Sequence, residues 1–455
     1  MGTLYLTWIV LLVFVISAYF YSRRDFAAPV FLFSLSFFAS VSIVVLNIEN
    51  WDIAIHGFQN RTAVCIVLAI LSFFLGSLIF RTVFSRKMTE GIGSVSKSVL
   101  NRSKGAFPYT FFIAISLVMF VLFMRPRLGS LSFSSMLSFQ SDLREIYSTE
   151  KEYGFFSSQI LEIIVALAYF CLFRYFLEKK YLHQKPKKRL LIPVICFLVC
   201  ALVYTDRNIL LRFFIYGLML FVMSANWRKV TIRNNHKLMI RVGILVAAAA
   251  LIFWAYGKLK MYTSNFERML GIYAGSGLYG FNLWLQDFKD VFTKGGYTFS
   301  SVLNTLKAFG IGEGSPYRLE NWDYTIFYAQ NGYAFATNIY SALRVYYEDF
   351  GMTGMIIVPA ITGFLFEWLY QTAVRKKYGF WWVFYAAHIY HIIYFPILEQ
   401  FFYRFHLGIV YEIFWLFFFY FLEYGYNGLW RLKKVKWRVS GRRTDIQETI
   451  KDYLS

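Results

Sequence analysis

The stretch that decides the class of fold spans residues 338–372 and reads NIYSALRVYYEDFGMTGMIIVPAITGFLFEWLYQT. Its second half, residues 351–372, is an apolar run long enough to cross a lipid bilayer as a helix. Its first half sets an arginine, three tyrosines and two adjacent carboxylates directly before that run. The stretch therefore predicts a membrane-spanning helix with a polar entrance, and the role of those polar groups is the question it raises.

The rest of the chain repeats the apolar pattern. The 455 residues are 58% hydrophobic and 16% charged, a composition typical of a polytopic α-helical membrane protein. The apolar runs predict an all-α integral membrane protein with about eleven transmembrane helices. The runs are 4–21, 29–46, 63–80, 109–124, 155–173, 190–204, 209–223, 242–256, 351–372, 381–397 and 405–421.

The chain is predicted to form one transmembrane domain, residues 1–430, followed by a basic cytoplasmic tail, residues 431–455. No basic segment precedes the first apolar run, so this run is interpreted as a retained span and not as a cleaved signal. All four cysteines fall inside apolar runs, where cysteine serves as a small hydrophobe. Neither a disulfide nor a metal site is expected from them.

The formal net charge of +21 is explained by topology. If the N-terminus lies outside, about two thirds of the 47 lysines and arginines fall in the inner segments and the tail. This positive-inside pattern predicts a cytoplasmic C-terminus and attraction to anionic membrane lipid. No nucleic-acid-binding motif accompanies the charge, so nucleic acid is not expected as a partner.

One large outer loop, about residues 257–350, is predicted to provide the working surface outside the membrane. It is rich in aromatic residues, among them Trp322 and Tyr324. One interpretation is an interfacial cap whose rings lie at the level of the lipid headgroups. The other is a saccharide platform, because the C–H faces of sugars stack on aromatic rings.

Ionisable residues interrupt several apolar runs. Residues 190–223 are too short for two full spans and a turn, which need about 42 residues, so the turn at Asp206 and Arg207 should lie below the outer surface. Charges at such depth are costly unless they are paired or face water. Four further residues, Glu162, Arg212, His391 and Glu412, are placed about 10 Å beneath the outer ends of their spans.

Two interpretations of these residues remain open. They could be functional, or they could be buried pairs that fix helix packing, such as Arg212 with Glu162 or Glu412. His388 and His391 share a helix face and would suit two metal ligands, but no third ligand stands at a matching spacing. No metal and no cofactor are therefore predicted.

Missing motifs exclude several activities. The inner segments are too short for a cytosolic catalytic domain, and the sequence has no GxxxxGK, GxSxG or HExxH motif. Outward-facing chemistry or transport remains. Arginine forks suit a pyrophosphate, and five arginines are predicted at the outer face: Arg207, Arg212, Arg268, Arg318 and Arg344.

The polar entrance has its own two interpretations. If it is helical, Arg344 and Glu348 are neighbours at i and i+4, and Tyr340, Arg344 and Tyr347 share a face. This could be a surface ion pair worth about 0.5 kcal/mol and without function. It could equally be a functional group, because positive charge is normally sparse on the outer side.

Two segments carry a resemblance to a known family. Residues 337–354, TNIYSALRVYYEDFGMTG, and the turn DRNILLR, residues 206–212, resemble segments of the Wzy-type oligosaccharide repeat-unit polymerases of bacterial O-antigen and capsule assembly. The arrangement of one dominant outer loop before the last spans is similar to that family over nearly the whole chain. The resemblance implies a multi-pass protein of the bacterial cytoplasmic membrane whose active site faces outward.

The implied reaction moves a growing glycan from its undecaprenyl pyrophosphate to a hydroxyl of the next lipid-linked unit. Under this resemblance Arg344, with Arg207 and Arg318, is expected to hold the pyrophosphate, and Asp349 or Glu348 to act as base. His391 and Glu412 are further candidates for the base. The remaining candidates for binding pyrophosphate or glycan are Arg212, Arg268, Tyr340, Tyr347, Trp322 and Tyr324.

Partners and alternatives follow from the same reaction. The expected partners are undecaprenyl-pyrophosphate-linked oligosaccharides and membrane lipid, and a product of defined length would need a chain-length regulator protein. One alternative is an enzyme like the O-antigen ligases, with the same chemistry and a different acceptor. A second, of another class, is a flippase or exporter of lipid-linked oligosaccharide, which would predict inverted repeats that the sequence does not show.

Overall fold

The computed structural model is built almost entirely of helices. It describes residues 1–53, 57–84, 94–96, 99, 107–128, 155–182, 185–204, 207–225, 232–259, 266–317, 325–327, 335–405 and 407–425. The helices are α1 Gly2–Tyr21, α2 Pro29–Leu46, α3 Asn60–Val83, α4 Tyr109–Leu128, α5 Phe155–Lys180, α6 Leu191–Tyr204, α7 Arg207–Ala225, α8 Ile232–Leu259, α9 Phe266–Leu270, α10 Ser276–Asp287, α11 Ser300–Ala308, α12 Ala342–Arg375, α13 Phe380–His388, α14 Tyr390–Ile393 and α15 Leu407–Tyr424.

Four short strands, the 3-10 turn Lys188–Leu190 and the π-helical turn Gly271–Gly275 complete the described elements. Strand β1, Ser94–Val95, pairs in parallel with β4, Lys376–Lys377, directly after α12. Strands β2, Thr325–Phe327, and β3, Phe335–Thr337, form an antiparallel pair before α12. The strands are therefore ties at the two ends of α12, and the core is helical.

Seven helices of the described part are long and apolar enough to cross a membrane. They correspond to α1, α2, α3, α5, α7, α8 and α12, and a shorter apolar stretch, Tyr109–Arg125, lies in α4. The prediction of an all-α membrane protein is thereby confirmed. The predicted number of about eleven spans and their orientation stay predictions.

Helices α3 and α12 pack closely against each other, backbone against backbone. A Cβ atom on Gly76 would lie 1.9 Å from the carbonyl oxygen of Ala360, and one on Gly363 would lie 2.1 Å from that of Phe73. Such backbone contact needs small residues, as it commonly does between membrane helices. The two helices are therefore packed backbone against backbone along the apolar run of α12.

Contacts at the two ends show that α1, α3 and α12 run in parallel. At one end Thr3 bonds Asn60 at 2.7 Å, while at the other end Arg81 donates to the carbonyl of Tyr21. Glu367 of α12 meets Arg81 there, with 2.6 Å between Nε and Oε1, and is completely buried. The start of α12 therefore lies at the end of the bundle that carries Thr3 and Asn60.

The predicted outer loop contains a buried helix. Leu278, Tyr279 and Phe281 of α10 are fully buried, and Ser40 in α2 bonds the carbonyl of Ala274 just before α10 at 2.6 Å. Ser40 lies six residues before the end of α2, so this segment reaches about 9 Å below that end. The assignment of this segment to a large outer loop stays a prediction, and its glycines and serines allow close packing against α2.

The predicted span at residues 381–397 is not a single helix. It is divided into α13 and the single turn α14, which ends at Ile393. Pro396 accounts for the stop, since proline lacks an N–H and disfavours helical geometry in the residue before it. The interruption leaves the carbonyl of Phe395 free of helical pairing, and α12 uses it.

Candidate functional site

The first turn of α12 is fixed by two other parts of the chain and by a cap of its own. The hydroxyl of Ser341 and the N–H of Ala342 both donate to the carbonyl of Phe395, at 3.0 and 2.9 Å. The N–H of Ser341 donates to the carbonyl of Gly277, and its hydroxyl accepts from the N–H of Leu343 as a helix cap. The helix that carries Arg344 thus begins in a rigid, buried frame.

Arg344 lies between two aromatic rings and one carboxylate. Its guanidinium carbon is 4.0 Å from the ring centre of Tyr340 and 4.9 Å from that of Trp284. Its Nε is 3.3 Å from Oε2 of Glu348, as the predicted spacing required. The side chain of Arg344 is 7% exposed and that of Glu348 is 14% exposed, so the cation is largely withdrawn from water.

The two adjacent carboxylates have different surroundings. Asp349 is buried and accepts from the hydroxyl of Thr293, from the N–H of Tyr297 at 3.1 Å and from the N–H of Thr298 at 2.6 Å. These three donors occupy both oxygens of Asp349. Its position therefore suits an anchor for the loop after α10, whereas Glu348 is the carboxylate that faces the candidate cation.

Gly351 and Gly354 explain the Asp-Phe-Gly-x-x-Gly ending of the motif. Gly351 has φ +61° and ψ −144°, a conformation that breaks α12 between its polar first turns and its apolar run. A Cβ atom on Gly354 would lie 2.2 Å from the carbonyl oxygen of Tyr346. Both glycines shape a kink that sets the polar turns at an angle to the span.

Tyr347 brings a second arginine to the site that the sequence reasoning missed. Arg61, at the start of α3, donates to the hydroxyl of Tyr347 and forms an ion pair with Asp290. Its guanidinium carbon is 5.0 Å from the Tyr347 ring centre. The available signal was its position, an arginine on the predicted outer side, where positive charge is sparse.

The rings of the site form a continuous aromatic group. Trp284 packs on Phe288 with 4.5 Å between ring centres, and Phe288 contacts Tyr347 edge to face at 5.8 Å. Together with Tyr340 these rings separate Arg344 from Arg61. The arrangement offers two guanidinium groups and flat apolar faces at the same end of the bundle.

Arg212, His391 and Glu412 belong to a second polar group. Nη2 of Arg212 is 2.6 Å from Oε1 of Glu412 and contacts its other oxygen as well, and the guanidinium lies 4.5 Å from the ring centre of Tyr390. This is one of the two pairings proposed from the sequence, and Glu162 lies near enough to interact with both charges. Arg212 and Glu412 are thus neutralised within the bundle.

The histidines stack beside that group. The rings of His388 and His391 are parallel, with centres 5.7 Å apart, and Nδ1 of His391 is 3.0 Å from the carbonyl oxygen of Gln400. Among the described residues no group of three or more histidine, cysteine or acidic side chains could hold a metal. His391 therefore has a backbone partner in the segment that follows α14.

The segment that follows α14 joins the two polar groups. Glu399 accepts from the hydroxyl of Tyr346 at 2.9 Å and from the N–H groups of Phe402 and Tyr403, both at 2.8 Å. Burial raises the pKa of Glu399, against the effect of these donors. Glu399 contacts the α12 side and its neighbour Gln400 contacts His391, so the groups are adjacent but distinct.

For several predicted site residues the structure describes no side chain. Arg318, Trp322 and Tyr324 lie outside the described residues, as does Asp206. Arg207 and Arg268 belong to α7 and α9, but their side chains are not among those described. Of the thirteen candidate residues, the structure therefore brings Arg344, Glu348, Asp349, Tyr340 and Tyr347 together at the entrance of α12.

The fold and this site define a polytopic helical membrane protein with an arginine, carboxylate and aromatic cluster at one end of its bundle. Comparison with protein-family models, with curated proteins and with solved structures finds no match.

Proposed function

We propose that the chain polymerises lipid-pyrophosphate-linked oligosaccharide repeat units at the outer face of the bacterial cytoplasmic membrane. The observation that carries this proposal is Arg344, a largely buried guanidinium held between the rings of Tyr340 and Trp284 and beside the carboxylate of Glu348. A guanidinium in such a place binds phosphate oxygens more strongly than it would in water. The seven apolar helices suit a protein embedded in a membrane, and a lipid-linked substrate would reach the site through that membrane.

The proposed step is a glycosyl transfer between two lipid-linked molecules. A hydroxyl oxygen of the incoming unit attacks the anomeric carbon at the reducing end of the growing glycan. The bond from that carbon to the pyrophosphate oxygen breaks, and undecaprenyl pyrophosphate leaves with the bonding electrons. Arg344 stabilises the leaving charge, and Glu348 takes the proton of the attacking hydroxyl.

The choice of Glu348 over Asp349 follows from their contacts. Asp349 already accepts three hydrogen bonds, whereas Glu348 touches Arg344 through one oxygen at 3.3 Å and retains some exposure. When the pyrophosphate binds Arg344, it would displace Glu348 and leave that carboxylate beside the reacting sugar. Binding of the leaving group and release of the base would therefore be one event.

Purified protein in liposomes, supplied with lipid-linked repeat units and no nucleotide, tests the proposal. The wild type should give a ladder of polymer on a gel, and Arg344→Ala should give single units only. Arg344→Lys should lose most of the activity, because an ammonium cannot reproduce a two-point contact with pyrophosphate. Lys289→Gln, a change at an exposed residue outside the cluster, is the matched control.

The outcomes separate the rival functions. Elongation at the wild-type rate by Arg344→Ala would end the assignment of the site. Movement of intact units across the membrane without elongation would indicate a flippase. Transfer of a finished glycan to a different acceptor, without growth of the chain, would indicate a ligase.

A further inference from the structure

A cavity of about 500 Å³ lies beside the first turns of α12 and has no role in the transfer step described above. Its walls come from the loop between α10 and α11, from α11 itself and from residues 314–317. Cavities that bind small molecules usually measure about 300–1,000 Å³. The volume therefore suits a few sugar residues.

The loop that lines the cavity is hydrogen-bonded to the first turns of α12. The N–H of Thr293 donates to the carbonyl of Glu348, and the N–H of Lys294 donates to that of Asp349. The side chain of Asp349 holds the next turn of the same loop through Tyr297 and Thr298. The loop that lines the cavity is thus fixed to the same helical turn that presents Glu348.

A tyrosine pair links the cavity to Arg344. Tyr317, which lines the cavity, packs on Tyr297 with ring centres 4.9 Å apart. The phenol of Tyr297 in turn lies near enough to Arg344 to interact with its charge. A ligand in the cavity would accordingly reach toward the guanidinium past this pair.

The shape of the cavity depends on the Lys-Gly-Gly sequence at 294–296. A Cβ atom on Gly296 would lie 2.4 Å from the ring of Tyr317, so only glycine leaves the ring in place. The hydroxyl of Ser315 donates to the carbonyl of Gly296 at 2.7 Å and ties the two walls together. Lys294 itself has φ +51°, an unfavourable conformation for lysine that persists where the surroundings impose it.

The chemistry of the lining favours a sugar with an acidic group. The rings of Phe299 and Tyr317 are 41% and 37% exposed and offer faces on which sugar C–H groups can stack. Glycine-rich backbone beside them offers polar groups to hydroxyls. Among the described residues that line the cavity, Lys294 carries the only charge, and an ammonium pairs with a carboxylate.

We propose that this cavity binds an acidic sugar residue of the glycan, a hexuronic acid, with the carboxylate at Lys294 and the ring on Tyr317. The identification of the ligand as a glycan rests on the proposed function. The cavity would then select repeat units by charge and hold the sugar chain while its pyrophosphate end lies at Arg344.

Binding of a soluble trisaccharide tests the acidic-sugar site without requiring polymer formation. One probe contains a glucuronic acid, and its twin has that carboxyl group reduced, so that glucose stands in its place. Binding to the full-length protein in detergent is measured by calorimetry and by saturation transfer from protein to sugar protons. The acidic probe should bind about tenfold more tightly than its twin, and Lys294→Gln should remove that difference.

Two variants serve as controls. Lys289→Gln changes an exposed lysine that does not line the cavity and should keep the tenfold preference. Gly296→Ala should weaken both probes equally, since it displaces Tyr317 without changing charge. Equal binding of the two probes to the wild type, or an unchanged preference in Lys294→Gln, would overturn the acidic-sugar site.

The result is distinguishable from that of the polymer assay. A protein that elongates neutral units through Arg344 but shows no acid preference would keep its proposed function and lose this site. A protein that prefers the acidic probe through Lys294 but never elongates would keep the site and lose the polymerase assignment.

Discussion

Two arginine and glutamate pairs in this protein differ in the geometry of their contact. Arg212 contacts both oxygens of Glu412, and the two side chains are 6% and 5% exposed. In the second pair, Nε of Arg344 is 3.3 Å from Oε2 of Glu348, and aromatic rings lie on two sides of the guanidinium. The first contact is short and one nitrogen meets both carboxylate oxygens, whereas the second contact is longer and lies beside a cavity.

The difference separates stability from function. A short, buried ion pair keeps helices in register and has no surface to offer a substrate. A loosely held pair can exchange its carboxylate for a phosphate with little reorganisation. Substitutions in the two pairs should therefore divide between unfolding and turnover.

The largest effect on stability is expected from Arg212→Leu. It leaves the carboxylate of Glu412 buried without its partner, which costs about 3–5 kcal/mol of unfolding free energy. All four cysteines are buried, so a thiol-reactive dye reports unfolding as the temperature is raised. The unfolding temperature should fall steeply.

The double variant Arg212→Met with Glu412→Leu is the matched control. Removing both charges should restore most of the lost stability, since apolar residues of similar size can replace a buried pair. If the single variant unfolds at the wild-type temperature, the pair does not hold the bundle. A double variant as unstable as the single one would point to packing and not to charge.

A smaller effect is expected from Asp349→Ala. It removes the acceptor for Thr293, Tyr297 and Thr298, which should cost about 2–3 kcal/mol and loosen the loop that lines the cavity. Hydrogen exchange should rise at residues 293–299 before the rest of the protein responds. Unchanged protection there would show that the loop is held by other contacts.

The sequence predicted the class of fold because hydropathy reports composition along a helix. Helices α1 and α2 contain the predicted runs 4–21 and 29–46 within their bounds or match them. It also predicted that Arg344 and Glu348 would meet, because that contact is local and follows from helix geometry. Local contacts and apolar length are the features that a single sequence carries.

Long-range packing was out of reach. The burial of α10 depends on packing against α2, where Ser40 donates to the carbonyl of Ala274. No pattern within residues 266–287 identifies α2 as the neighbour. The meeting of Arg61 with Tyr347 likewise requires α3 and α12 to lie side by side. The break before Pro396 could have been inferred from the proline, but its use as a cap for α12 could not.

The smallest effect on stability, and the sharpest test of the comparison, is expected from Glu348→Gln. The side chain keeps its size and its amide oxygen can still accept a hydrogen bond from Arg344, so the unfolding free energy should fall by only about 1 kcal/mol. Polymer formation should nevertheless fall by about 10²-fold or more, because glutamine cannot accept the proton of the attacking hydroxyl. Retained turnover in Glu348→Gln, with turnover lost in Asp349→Asn at equal stability, would move the base to Asp349. Loss of stability on the scale of Arg212→Leu would instead show that both arginine pairs are structural, and the distinction drawn between them would fail.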